Sequence, residues 1–158
     1  VKNLIHEKKT SGKKGVTLIE LLIVLAIIAI TGLSVSFGAA QLLSQSYFNN
    51  TVERLVHTLR TAQSYSTSGR GDSVWGVHLD GDTLTLFALG TGTDFATRED
   101  PSFDAETPLP SSVTITGWQD IYFDKLRGLP SATPNILIEV LGRSGAISLT
   151  TEGAVNRP

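Results

Sequence analysis

Lys13-Lys14-Gly15-Val16-Thr17-Leu18-Ile19-Glu20-Leu21-Leu22-Ile23-Val24-Leu25-Ala26-Ile27-Ile28-Ala29 is the stretch on which the reading of this chain turns. A pair of lysines gives way, through one glycine, to an aliphatic run broken only by Thr17 and Glu20. Upstream, residues 1–15 carry five lysines against Glu7, so 5 − 1 = +4. The remaining residues carry 8 − 14 = −6, which completes the net −2 of the 158-residue chain. The two parts are built for different surroundings. After Glu20 no charged side chain occurs before Glu53, and that gap marks residues 16–43 as a membrane segment.

As a helix, residues 16–43 would extend about 42 Å, enough to cross a hydrocarbon core of about 30 Å and protrude. The basic residues lie only on the N-terminal side, so the positive-inside rule places residues 1–15 in the cytoplasm and the rest across the membrane. No proline interrupts residues 16–68, and Phe48, Val52, Leu55, Val56, Leu59 and Ala62 recur at spacings of three and four. The spacing predicts that the helix continues, now amphipathic, over residues 44–68. Ser68-Gly69-Arg70-Gly71-Asp72 then stops it.

From residue 73 to 158 the texture is that of strands. Val74 to Leu79 and Thr83 to Leu89 flank Asp80-Gly81 as a hairpin, with a loop over residues 90–111. Val113 to Thr116 and Ile121 to Phe123 are short strands. Ile136 to Leu141 and Ala146 to Leu149 flank Gly142 to Gly145 as a second hairpin. The expected fold class is α+β, with one antiparallel sheet of four to six strands packed on the helix stripe.

The residues from Lys13 to Ala29 resemble the prepilin signal of type IV pilins and type II secretion pseudopilins. The resemblance implies cleavage after Gly15 by a membrane aspartyl prepilin peptidase, methylation of the new amino terminus at Val16, and polymerisation through the helix. Val16 stands where the family usually has phenylalanine. A carboxylate inside a lipid-facing helix costs about 2.5–3.5 kcal/mol near its centre, so Glu20 needs a partner or a task. The amine of a processed chain is such a partner, and Glu20 is assigned to assembly. An interfacial position, where the cost is smaller, is the bland alternative.

Further along, Leu55 to Ala62, the mid-chain hairpin, Ile121 to Phe123 with Arg127-Gly128, Ile136 to Leu141, Gly142 to Gly145 and Gly153 to Val155 resemble the H-type minor pseudopilins and FimT-like minor pilins. The implied fold is pilin-like, a long transmembrane and amphipathic helix on a C-terminal antiparallel sheet. The implied protein is a structural minor subunit, single-pass in the inner membrane, with its C-terminal domain periplasmic. The implied partners are other pilin subunits, the prepilin peptidase and an inner-membrane assembly platform. Two other readings compete. A FimT-like DNA receptor would use arginines near the C-terminus, but only Arg143 and Arg157 are available and residues 16–158 are net acidic. An ordinary secretory signal cut near Gly38-Ala39-Ala40 would release a soluble binding protein, but the apolar run exceeds the usual length of about 7–15 residues.

No catalytic chemistry is expected. The absence of cysteine removes thiol nucleophiles and cysteine-held metals. His6, His57 and His78 accompany no nucleophile elbow, zinc pair or phosphate loop, and no carboxylate spacing marks them. Neither cofactor nor metal is expected. Asp94, Glu99, Asp100, Asp104 and Glu106 could offer oxygen ligands to calcium, although Pro101, Pro108 and Pro110 explain an irregular solvated loop without an ion. Arg70-Gly71-Asp72 spells an adhesion tripeptide but reads as a helix terminator.

Overall fold

The computed structural model describes residues 15–157; within its helix the side chains of residues 33–39 lie outside the described residues, as does the leader up to residue 14. The helix α1 spans Leu18–Thr67, and eight strands follow. These are β1 (Trp75–Asp80), β2 (Thr83–Ala88), β3 (Ala105–Pro108), β4 (Val113–Thr116), β5 (Ile121–Phe123), β6 (Asn135–Val140), β7 (Arg143–Leu149) and β8 (Val155–Asn156). The chain divides into two compact units, residues 1–40 and 41–158.

In the first unit the helical residues from Leu18 to Ile30 are, Glu20 apart, apolar on every side, and Leu18, Ile23 and Ile27 are all more than half exposed. The apolar stretch with described side chains, Leu18 to Gly32, is about 22 Å long by its rise. Among the described residues no helix is long and apolar enough to cross a membrane.

The second unit contains the core. Val52, Leu55, Val56, Leu59 and Ala62 are buried, and they repeat every three or four residues along one helix face. Each buried leucine there contributes about 1.5–3 kcal/mol relative to exposure. The expectation of a single sheet is corrected. The strands form two four-stranded antiparallel sheets, ordered β3-β2-β1-β5 and β4-β6-β7-β8. Their inward residues, Val77, Leu84 and Phe123 from the first sheet and Ile136, Ile138 and Ile147 from the second, share one hydrophobic cluster with the helix stripe.

The sheets differ in cover. In β6 burial alternates, with Ile136, Ile138 and Val140 inside and Asn135, Leu137 and Glu139 outside. This is the period of two expected of a strand with one wet face. In β2 every residue from Leu84 to Ala88 is buried, because something also covers the outer face. That cover is the segment anticipated as a plain loop at residues 90–111. It contains two short 3-10 turns, Phe95–Thr97 and Pro101–Phe103, and then the edge strand β3. Phe95 packs edge-on against Phe87 with ring centroids 4.9 Å apart. Gly76 on β1 makes room for this layer, since a Cβ there would lie 2.8 Å from the Tyr122 ring and 3.0 Å from Phe87.

The second hairpin turns earlier than its glycines suggest. Val140 pairs with Arg143, leaving Leu141 (φ 47°) and Gly142 (φ 78°) as the turn, so Arg143 to Gly145 belong to β7. Two left-handed residues are what a tight turn between twisted strands requires, and the register accepts a leucine there. At the end of α1, the buried Ser66 hydroxyl accepts from the Trp75 amide at 2.8 Å, tying the last helical turn to β1. Gln63 ties the same helix end to a distant loop, its side-chain amide donating to the Gly128 carbonyl at 3.0 Å, and lies so close to Gly153 that a Cβ there would collide with it.

Candidate functional site

The start of α1 is organised by Thr17. Its hydroxyl accepts from the Glu20 amide at 3.3 Å, and its carbonyl accepts from the Leu21 amide at 3.2 Å. Thr17-Leu18-Ile19-Glu20 therefore has the residue types and spacing of a capping box, with an acidic side chain in the first turn where the helix dipole favours it. This local role for Glu20 is legible in the sequence as Thr-x-x-Glu. The Glu20 carboxylate is exposed and has no ion-pair partner among the described residues. Val16 is exposed, and a Cβ added at Gly15 would meet nothing within 4 Å. Packing among the described residues thus places no demand on glycine at position 15.

Four of the five loop carboxylates are separately engaged. Asp94 caps the turn Phe95–Thr97: it accepts from the Thr97 hydroxyl at 2.8 Å and the Thr97 amide at 2.9 Å. Those bonds hold its carboxyl below the usual carboxylate value. Asp100, likewise lowered by its bonds to Ser102, accepts from the Ser102 amide at 2.8 Å. Glu99 accepts from the Thr91 amide, and Asp104 forms an ion pair with Arg98 at 2.8 Å. Glu106 lies on β3 opposite Thr85. Among the described residues no group of three His, Asp or Glu side chains is disposed to hold a metal.

His78 requires a correction, because a carboxylate does accompany it. Asp120, 42 positions away, stands 2.9 Å from Nδ1. A carboxylate can only accept, so Nδ1 carries the proton. The His78 ring also stacks on Phe95 at 3.8 Å and 9°. The Arg98 guanidinium carbon stands 3.8 Å from the same Phe95 ring. Two groups that close to one centroid must occupy opposite faces, so Phe95 is sandwiched, and Arg98 is held in turn by Asp104. The arrangement pins the cover of the first sheet. Among the described residues His78 makes no side-chain hydrogen bond except to Asp120.

Arg70 to Asp72 form a 3-10 turn after α1, with Arg70 laid over the Tyr65 ring at 4.0 Å and Asp72 paired with Lys125. Of the two C-terminal arginines, Arg157 forms a two-pronged ion pair with Glu53, at 2.5 and 3.2 Å. Arg143 donates to the Ser44 hydroxyl at 3.3 Å. The structure does not bring them together into a basic patch.

Residues 10–36 match the prokaryotic N-terminal methylation motif, a type IV pilin-like prepilin signal. The match covers the end of the basic leader, Gly15, Val16, Glu20 and the apolar start of α1. No curated protein and no solved structure matches the chain.

Proposed function

We propose that the chain is a minor pilin or pseudopilin subunit of the H-type and FimT-like group. In this reading it is cut after Gly15 and methylated on Val16. It is anchored through residues 16–43 in the inner membrane, with its N-terminus cytoplasmic and residues 73–158 periplasmic. It is then built into a type II secretion pseudopilus or a type IV pilus. One observation carries the reading: the methylation motif at residues 10–36 leads directly into a helix that runs on to Thr67 and packs its second half on antiparallel sheets.

Three features support the details. Among the described residues nothing packs where a side chain at Gly15 would lie, which suits a residue read by a peptidase. The exposed apolar side chains from Leu18 to Ile30 need lipid or neighbouring helices to leave water. Glu20 lacks an ion-pair partner among the described residues, so the amine of Val16 released by cleavage, on the same or an adjacent subunit, is available to it. The role is structural and needs neither catalysis nor cofactor. A DNA-receptor role is not favoured, because Glu53 neutralises Arg157 and phosphate binding draws on clustered positive charge.

The test is the mass of the chain recovered from membranes. A chain lacking residues 1–15 and carrying one added methyl group is expected; a chain starting near Ala39 or Gln41 would overturn the reading. Gly15→Trp should accumulate as precursor with an unchanged melting profile. Glu20→Leu should still be processed, while its recovery with sheared filaments falls. Unchanged recovery would leave Glu20 as a capping residue only.

A further inference from the structure

Each four-stranded sheet has two outer edges, and three of these four edges are guarded. β3 carries Glu106 and ends at Pro108. The outer side of β5 is taken by the segment that follows it: the Ser131 amide donates to the Tyr122 carbonyl at 2.8 Å, and the Ser131 hydroxyl accepts from the Tyr122 amide at 2.9 Å. β8 is two residues long and leads into Arg157, and the part of β7 that it leaves uncovered begins at Arg143. Short strands, charges and prolines are the usual means of keeping a sheet from growing.

β4 has none of them to rely on. Val113-Thr114-Ile115-Thr116 is uncharged, β-branched at every position and free of proline, and neither Ser111-Ser112 before it nor Gly117 after it adds a charge. Among the described residues it pairs with β6 and with no other strand. Thr114 and Thr116 are exposed, whereas Val113 and Ile115 pack on the core cluster and are half-buried, with no further strand to flank them.

An open edge accepts an extended strand, and the composition of β4 says which. A twofold axis sets a strand against itself, so any charge on it meets its own like; β4 carries none. The pairing must also keep apolar side chains on the core face, which restricts the register to residues of like parity. With Thr114 on the axis, Val113 lies opposite Ile115 and Ser112 opposite Thr116, so apolar meets apolar and hydroxyl meets hydroxyl. The charge beside Thr114 is Glu139 on β6. Glu139 and its symmetry copy would stand three strand spacings apart, about 14 Å, beyond the screening length of about 8–10 Å.

We propose that β4 is a self-pairing edge, at which two copies of this chain join antiparallel about Thr114 into one continuous sheet. The paired segment, residues 112–116, is short, so the complex is transient. It stands on this edge alone and does not depend on filament assembly.

The experiment is disulfide trapping on the full chain in non-ionic detergent, made clean by the absence of native cysteine. Opposed residues of an antiparallel pair have Cα atoms about 4.5–5.5 Å apart, within the span of a disulfide. Under mild oxidation Thr114→Cys should give at least fivefold more covalent dimer than Ala146→Cys, which is exposed on the same face but two strands away. Thr116→Cys should give no more than Ala146→Cys, because the two copies of residue 116 lie about 14 Å apart, beyond the disulfide limit of about 7 Å. Ser112→Cys combined with Thr116→Cys should restore the dimer, a register-specific gain that random collision does not give. Thr114→Glu added to that pair should abolish it, since two new carboxylates would face each other across the axis. Equal dimer from Thr114→Cys, Thr116→Cys and Ala146→Cys would overturn the proposal, as would the absence of dimer from Thr114→Cys.

Discussion

The two halves of α1 draw on the same aliphatic residue types and meet opposite fates. Leu21, Ile23, Leu25 and Ile27 are between 54% and 56% exposed, whereas Leu55, Leu59 and Ala62 are fully buried. The difference lies in patterning. The first half is apolar all round, so no single packed surface could cover it; the second confines its apolar residues to one stripe, and two sheets suffice. A helix that is hydrophobic on all sides belongs in lipid or inside a bundle, and one with a stripe belongs on a domain. One continuous element thus joins a segment whose stability must come from outside the chain to one whose stability comes from within it.

The largest test of that contrast is the same kind of truncation in each half. Leu59→Ala should cost about 2–5 kcal/mol, the usual penalty for a cavity at a fully buried site. Ile27→Ala should leave the domain's unfolding midpoint within about 0.5 kcal/mol. Denaturant titration followed by the fluorescence of Trp75, which lies in the core, reads both; equal losses would mean that the halves form a single stability unit.

Ser66→Ala probes the junction where the buried half ends. It removes the hydroxyl that satisfies the Trp75 amide and should cost about 1–3 kcal/mol. Ser68→Ala, on an exposed position one turn end later, should cost far less, and the same titration distinguishes them. On the helix face turned to water, Glu53→Gln breaks the ion pair with Arg157 and should cost no more than about 1 kcal/mol, since both partners are well exposed and screened by solvent. A larger loss would show that Arg157 braces the domain.

The smallest effect concerns the cover of the first sheet. The Asp94 and Asp100 carboxyls have folded values below the ordinary 3.8. Their contribution is therefore complete above that value and is lost as pH falls below it through the lowered values. Amide resonances of Thr97 and Ser102 should shift across that acid window while those of Leu55 and Leu59 stay fixed. Simultaneous movement of all four would indicate that acid unfolds the domain as a whole rather than loosening its cover.

Parts of this were legible before any coordinates. The +4 leader, Gly15, the uncharged gap from Glu20 to Glu53 and the stripe from Phe48 to Ala62 are local patterns, and the physics that reads them is local as well: helix periodicity, the cost of charge in lipid and the need for a break near Gly69. Both hairpins were marked by turn residues beside β-branched runs, although the second turn lies at Leu141-Gly142, where a leucine takes a left-handed conformation that residue type alone would not suggest. The Thr17 cap was equally local and readable.

Tertiary structure alone decided the division into two sheets, because which strand edges meet depends on packing over one helix stripe rather than on any strand's own sequence. It alone decided that Phe95 lies sandwiched between His78 and Arg98, that Asp120 pairs with a histidine 42 positions earlier, and that Glu53 claims Arg157. Each of these joins side chains brought together only when the chain closes. Their energies depend on distance and burial, and neither quantity is present in a linear pattern of residues.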